Sequence, residues 1–216
     1  MTKLLLPDYS RVVLTGETDP IQRHYQPVVR YFMNRRLTMA LALIGDRRFR
    51  RLLDAGYGGG VFLPELARHA DALHGVDIHP HEADVARMAQ AEGLRVELRR
   101  ASVTSTGYPD GYFDAIVCVS VLEFVDDLAG AMGELHRVAA PGATVVLAFP
   151  GENVLTTLGY RLARTPDPRR VHRANYRTIL AEAGRRFALR RLLRFPSFVP
   201  SRLALFFAVE LTRPGS

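Results

Sequence analysis

One stretch of this chain spaces glycines and aspartates so that bare backbone and two acids could grip a ligand together. It runs Leu52-Leu53-Asp54-Ala55-Gly56-Tyr57-Gly58-Gly59-Gly60 and is followed by apolar residues at helical period. This reads as a buried strand ending in a glycine-rich turn that opens a helix. Glycines there let the backbone turn sharply and expose peptide groups that a Cβ would cover. Free N–H groups at the start of the next helix favour a carboxylate or another anion. A second acid, Asp77, ends the next strand-like segment, Ala72-Leu73-His74-Gly75-Val76-Asp77. A carboxylate in that place accepts the hydroxyls of a ribose, as nucleoside cofactors on doubly wound sheets require.

The spacing of the glycines separates one nucleoside cofactor from another. A dinucleotide fingerprint needs G-x-G-x-x-G, and counted from Gly56 its last position is Val61. Here the glycines alternate at 56, 58 and 60, with Asp54 two residues ahead. This resembles motif I of the class I S-adenosylmethionine-dependent methyltransferases of the small-molecule type. Val76-Asp77-Ile78 resembles their acidic second motif, and Tyr112–Val119 looks like their fourth strand. Val121-Leu122-Glu123-Phe124-Val125 stands where many members carry Leu-Glu-His. The run from Glu134 to Ala143 is similar to the helix and Pro-Gly turn before their fifth strand.

The resemblance implies S-adenosyl-L-methionine as cofactor and assigns residues to it. Gly56, Tyr57, Gly58 and Gly60 would lie against the methionine portion, with Asp54 holding the turn or the amino group. Asp77 would take the ribose hydroxyls and Ile78 would pack on the adenine. Ser102 and Val103 fall where the family often has an aspartate for the adenine amino group; a neutral hydroxyl is the weaker acceptor. Val119 would touch the cofactor through its backbone, and Arg35 or Arg36 would pair with its carboxylate. His24 and Tyr25 are the general-base candidates. Phe124 stands in place of the histidine that metal-using members pair with a glutamate, so no metal is expected. Methyl transfer from a sulfonium asks mainly for alignment and a dry pocket. A base is needed only when the acceptor carries a proton at working pH.

Composition narrows the alternatives. At 216 residues the chain is the length of one domain. Lys3 is the only lysine, which removes Walker-type phosphate loops, Schiff-base chemistry and the Tyr-x-x-x-Lys pair of short-chain dehydrogenases. Cys118 is the only cysteine, so there is neither a disulfide framework nor a thiolate metal cluster. No uninterrupted apolar run reaches about 20 residues, and a cytoplasmic location is expected. The +7 charge is almost wholly arginine and thickens toward the C-terminus. Such a skew suits an acidic substrate, a peripheral contact with an anionic membrane, or nucleic acid. The (Asp/Asn)-Pro-Pro-(Tyr/Phe) and Pro-Cys signatures of nucleic-acid methylation are absent, so a small-molecule, lipophilic or acidic acceptor is expected. Two other readings share the fold: a cofactor-binding scaffold without catalysis, and an arginine-rich nucleic-acid or membrane-surface binder.

These residues need a frame. Strand and helix patterns alternate as β 51–55, α 61–70, β 72–77, α 80–91 and β 95–99, followed by two further βα units through Phe149. This predicts a Rossmann-like, doubly wound α/β sheet. An N-terminal helix over 19–44 would cap it. After Pro150 come a loop or short helix to Asp167, an amphipathic helix over 175–184, and strands over 187–195 and 203–212. Two strands so closely joined are antiparallel, giving seven strands with a reversed last one. The expected organisation is a single domain: cap 1–48, cofactor core 49–150, and substrate side 151–216. The cap and the 151–175 segment together would form a lid over the acceptor.

Overall fold

The computed structural model describes residues 4–16, 20–26, 29–151, 153, 156 and 172–215. Helix α1 (Val29–Ile44) leads into strand β1 (Phe49–Ala55), α2 (Leu63–Ala67), β2 (Ala70–Asp77), α3 (Glu82–Ala91) and β3 (Val96–Arg100). The chain continues through β4 (Phe113–Val119), α4 (Leu128–Val138) and β5 (Ala139–Pro150). It then passes to α5 (Tyr176–Gly184), β6 (Ala188–Phe195) and β7 (Phe206–Thr212). The strands form one sheet in the order β3-β2-β1-β4-β5-β7-β6. The first five are parallel, and β7 runs antiparallel to both β5 and β6. This is the expected doubly wound sheet with its reversed strand.

Alternation along the central strands splits their side chains between two cores. Leu52, Ala115, Val117, Val146 and Ala148 pack with α1, α2 and α3 on one face. Leu53, Ile116, Cys118, Val145 and Leu147 pack with α4 and α5 on the other. Cys118 is therefore a core thiol, and burial pushes its pKa well up. Helices α4 and α5 start where side chains satisfy their first N–H groups. Asp127 accepts from Gly130 N–H at 2.8 Å before α4, and Asn175 and Thr178 form a capping box before α5.

Three expectations change. The helix over 19–44 is two pieces: a 3-10 turn at Pro20–His24, then α1 from Val29. Apolar periodicity runs through Pro27, but proline has no N–H to continue a helix and disfavours helical backbone before it. Second, Pro141-Gly142 is no turn ahead of β5 but a bulge inside it. Register against β4 jumps from Phe113↔Ala139 to Ala115↔Thr144, and Gly142 adopts φ +78°. Third, Leu203 belongs to a 3-10 turn at Ser201–Leu203, and β7 begins only at Phe206. Much of the expected 151–175 lid lies outside the described residues.

Candidate active site

The carboxyl ends of β1, β2 and β4 meet α1 and the preceding 3-10 turn around a cleft of about 210 Å³. Asp54, Gly56, Tyr57, Gly58, Asp77 and Val119 line it, together with His24 and Arg36. The glycine turn leaves β1 at Gly56, whose N–H donates to the Val76 carbonyl at 2.8 Å. Gly56 has φ +92°, and a Cβ there would stand 2.1 Å from Val121 Cγ2. Backbone conformation and space both demand glycine. Gly60 does a different job from the one expected. It does not line the cleft; a Cβ on it would meet Met88 and Val85, so it lets the turn close against α3.

Asp77 fastens the turn as well as facing the cleft. Its Oδ2 accepts from Gly58 N–H at 2.8 Å, and its Oδ1 from His79 N–H at 3.4 Å. His79, which the sequence reading passed over, completes the clasp. Its Nε2 donates to the Gly58 carbonyl at 2.9 Å, and its Nδ1 accepts from His81 N–H at 3.1 Å. A carbonyl only accepts and an amide N–H only donates, so these contacts require the neutral Nε2–H tautomer. Gly58 thus has both its N–H and its C=O tied to the end of β2.

Asp54 is buried at 3% exposure. No hydrogen bond to its carboxyl forms among the described residues. Burial, and then the charge of Asp77, push its pKa up to about 8. The cleft therefore holds a proton on Asp54 near neutral pH until a cation or donor arrives to replace it.

On the opposite wall, Arg36 donates to the Ser120 hydroxyl, and its guanidinium lies 5.9 Å from the Phe206 ring centroid. Ser120 takes φ +58°, unusual for a residue with a Cβ, immediately after β4. His24 donates from Nδ1 to Asn34 Oδ1, while Asn34 Nδ2 donates to the His24 carbonyl at 3.2 Å.

Other expected site residues lie elsewhere. The Tyr25 hydroxyl donates to the Pro7 carbonyl at 2.9 Å, and burial followed by Glu92 and Asp8 pushes its pKa up to about 12. Tyr25 is thus tied to the N-terminal segment and does not line the cleft. Ser102 spends its hydroxyl locally, 2.7 Å from Thr104 Oγ1 and accepting from Thr104 N–H. Val103 is buried in the same core as Leu53 and Val76. Ile78 is 70% exposed, one residue beyond Asp77 and outside the lining. Ile21, Leu37, Gly59, Val61, Phe62, Ser120 and Val121, to which the sequence assigned no site role, complete the wall. Among the described residues no three His, Cys, Asp or Glu side chains converge on a metal position.

Known proteins place this cleft in context. Residues 53–147 match the family model described as "Methyltransferase domain". The chain is 38% identical over 121 residues to the demethylmenaquinone methyltransferase of Thermus thermophilus, covering 54% of each chain. It is 31% identical over 121 residues to the ubiquinone biosynthesis O-methyltransferase of Alkalilimnicola ehrlichii, covering 55% of this chain and 49% of that one. The chain spans about half the length of these curated relatives. Among solved structures, the N-methyltransferase NodS of Bradyrhizobium japonicum in complex with S-adenosyl-L-homocysteine superposes with TM-score 0.68 at 18% identity. That match covers 93% of this chain and 94% of NodS. The [4+2]-cyclase SpnF superposes with TM-score 0.67 at 18% identity, over 85% of this chain and 81% of SpnF. One fold therefore carries more than one named activity. The motif order, the family match and the sheet agree in making residues 53–147 a methyltransferase domain.

Proposed function

We propose that this protein is an S-adenosylmethionine-dependent methyltransferase acting on a small-molecule acceptor. The observation that carries the reading is the Asp54 carboxyl, buried in the cleft without a hydrogen bond among the described residues. A fold that leaves a carboxyl in that state has reserved it for a cationic or donor group of a ligand. The amino group of the methionine portion is such a group. Asp77 keeps lone pairs for ribose hydroxyls beside the two bonds it accepts. Bare peptide at Gly56 admits the methionine chain, and Arg36 stands across the cleft for its carboxylate. The enclosed volume is below the roughly 300–1,000 Å³ of sites that swallow a whole ligand. The adenine end would therefore extend past the lining and cover exposed Ile78.

When bound, the sulfonium supplies an electrophilic methyl group. The chain's own contribution is alignment and exclusion of water by Ile21, Leu37, Phe62 and Val121. These apolar walls suit a lipophilic acceptor, in keeping with the quinone-biosynthetic names of the relatives. For a protonated acceptor, His24, which lines the cleft and is paired with Asn34, is the candidate base.

Calorimetric titration with S-adenosylmethionine, S-adenosylhomocysteine and NAD tests the cofactor. Binding of the first two without NAD is expected, and the reverse would overturn the assignment. Transfer of a labelled methyl group to quinone-type phenols separates catalysis from cofactor holding.

A further inference from the structure

Helix α1 carries three arginines and no acid, and residues 185–209 carry six arginines and no acid. These two stretches meet. Tyr31 lies edge-on to Phe195 with ring centroids 6.0 Å apart, and the Arg35 guanidinium sits 4.7 Å from the same ring. The meeting point is at the carboxyl end of the parallel strands, because α1 runs antiparallel to β1 while β6 runs parallel to it. The cleft opens at that same end.

Aromatic rings crown this face. Tyr31 is 46% exposed, Phe32 44% and Phe198 87%. Phe198 sits at the tip of Pro196-Ser197-Phe198-Val199-Pro200, where a proline on each side restricts the backbone. Arg194 Nε donates to the Val199 carbonyl at 3.1 Å, which ties the loop back to β6. Arg185 and Arg186 are paired with Glu182, and Arg191 with Glu210. Arg30, Arg194 and Arg202, around the rings, form no ion pair among the described residues.

We propose that this face docks on an anionic lipid bilayer, with Phe198, Tyr31 and Phe32 entering the headgroup region and the arginines meeting lipid phosphates. The charge alone would equally suit nucleic acid. The shape favours lipid: the most exposed ring caps a projecting loop, whereas single strands are bound by rings along a groove floor. Docked this way, the protein turns its cleft mouth toward the membrane, from which a lipophilic molecule could enter.

Co-sedimentation of the full chain with phosphatidylcholine vesicles, with and without phosphatidylglycerol, is the test. Binding is expected only with the anionic lipid and should weaken with salt. Phe198→Ser should lower the partition by about tenfold, and Arg194→Gln and Arg202→Gln by about fivefold each. Arg95→Gln, beside β3 on the opposite sheet edge, should leave it unchanged. Circular dichroism confirms that each variant is folded. No binding to anionic vesicles, equal binding to neutral ones, or an Arg95→Gln effect matching that of Arg194→Gln overturns the proposal. So does tighter capture of single-stranded RNA that ignores Phe198→Ser. No arm uses cofactor or turnover, so the result is independent of the methyltransferase reading.

Discussion

Asp54 and Glu134 are both largely buried acids, and the fold treats them in opposite ways. At the corner where α4 meets the 106–110 loop, Glu134 accepts from Arg137 Nε at 2.7 Å and Nη2 at 2.8 Å. It also accepts from Thr106 N–H at 2.7 Å and Oγ1 at 2.6 Å. Burial works against its charge, yet the bonds from Arg137 and Thr106 hold its pKa down at about 2. Asp54 receives no such bond, and burial with Asp77 nearby sends it up to about 8. One carboxylate is saturated by its own chain and serves stability. The other is left hungry, and its interaction energy is available only to a ligand.

That contrast breaks if ligand affinity and stability fail to separate by mutation. The largest effect is expected from Asp77→Ala, which removes the proposed ribose acceptor and the anchor of Gly58 together. Charge-assisted bonds are worth about 1.5–3 kcal/mol each, so cofactor affinity in calorimetry should fall a hundredfold or more. A folded variant with unchanged affinity would place the ribose elsewhere. Next, Glu134→Gln should cost roughly 1–3 kcal/mol of stability in urea unfolding while leaving cofactor affinity alone. The wild-type contribution of Glu134 is present above its ordinary pKa of 4.5 and lost as pH falls toward 2.

Asp54 sharpens the contrast through pH. The free protein favours the neutral acid, so this residue's contribution to stability declines as pH rises from 3.8 toward 8. A ligand ammonium favours the carboxylate, so affinity should climb by up to about tenfold per pH unit over the upper part of that range. Titrations across pH measure it, and Asp54→Asn should flatten the slope without lowering the melting temperature. A slope that persists in the variant assigns the proton to another group. The smallest effect, about threefold weaker binding, is expected from His79→Phe, which removes one neutral bond to Gly58. An effect as large as that of Asp77→Ala would make the imidazole, rather than the carboxylate, the main clasp.

The glycine-turn side of the cleft was legible because it is written locally. Alternating glycines force one turn, and an acid closing the next parallel strand must come beside it. The parallel order and reversed β7 were equally readable from alternating patterns and one short connection. Of the opposite wall only His24 and Arg36 were. Ile21, Leu37, Ser120 and Val121 arrive from three separate elements and share no spacing. Ser120 left a faint signal as the residue just past a central strand, where such sheets bind ligands. Gly60 fits the spacing but serves α3, a distinction only packing makes. His24 and Tyr25 are neighbours that part company, because a 3-10 turn places successive side chains about a third of a circle apart.

The chain has no tryptophan and eight tyrosines, which gives the buried ring of Tyr57 an optical meaning. Tyr57 lines the cleft, stands edge-on to His79 at 5.1 Å and has no hydrogen bond to its hydroxyl among the described residues. Burial, then Asp77 and Glu82, raise its pKa, so it stays a neutral phenol across the working pH range. Any ligand that fills the cleft lies against this ring. Near-ultraviolet emission, free of an indole background, is therefore a built-in gauge of occupancy that needs no label.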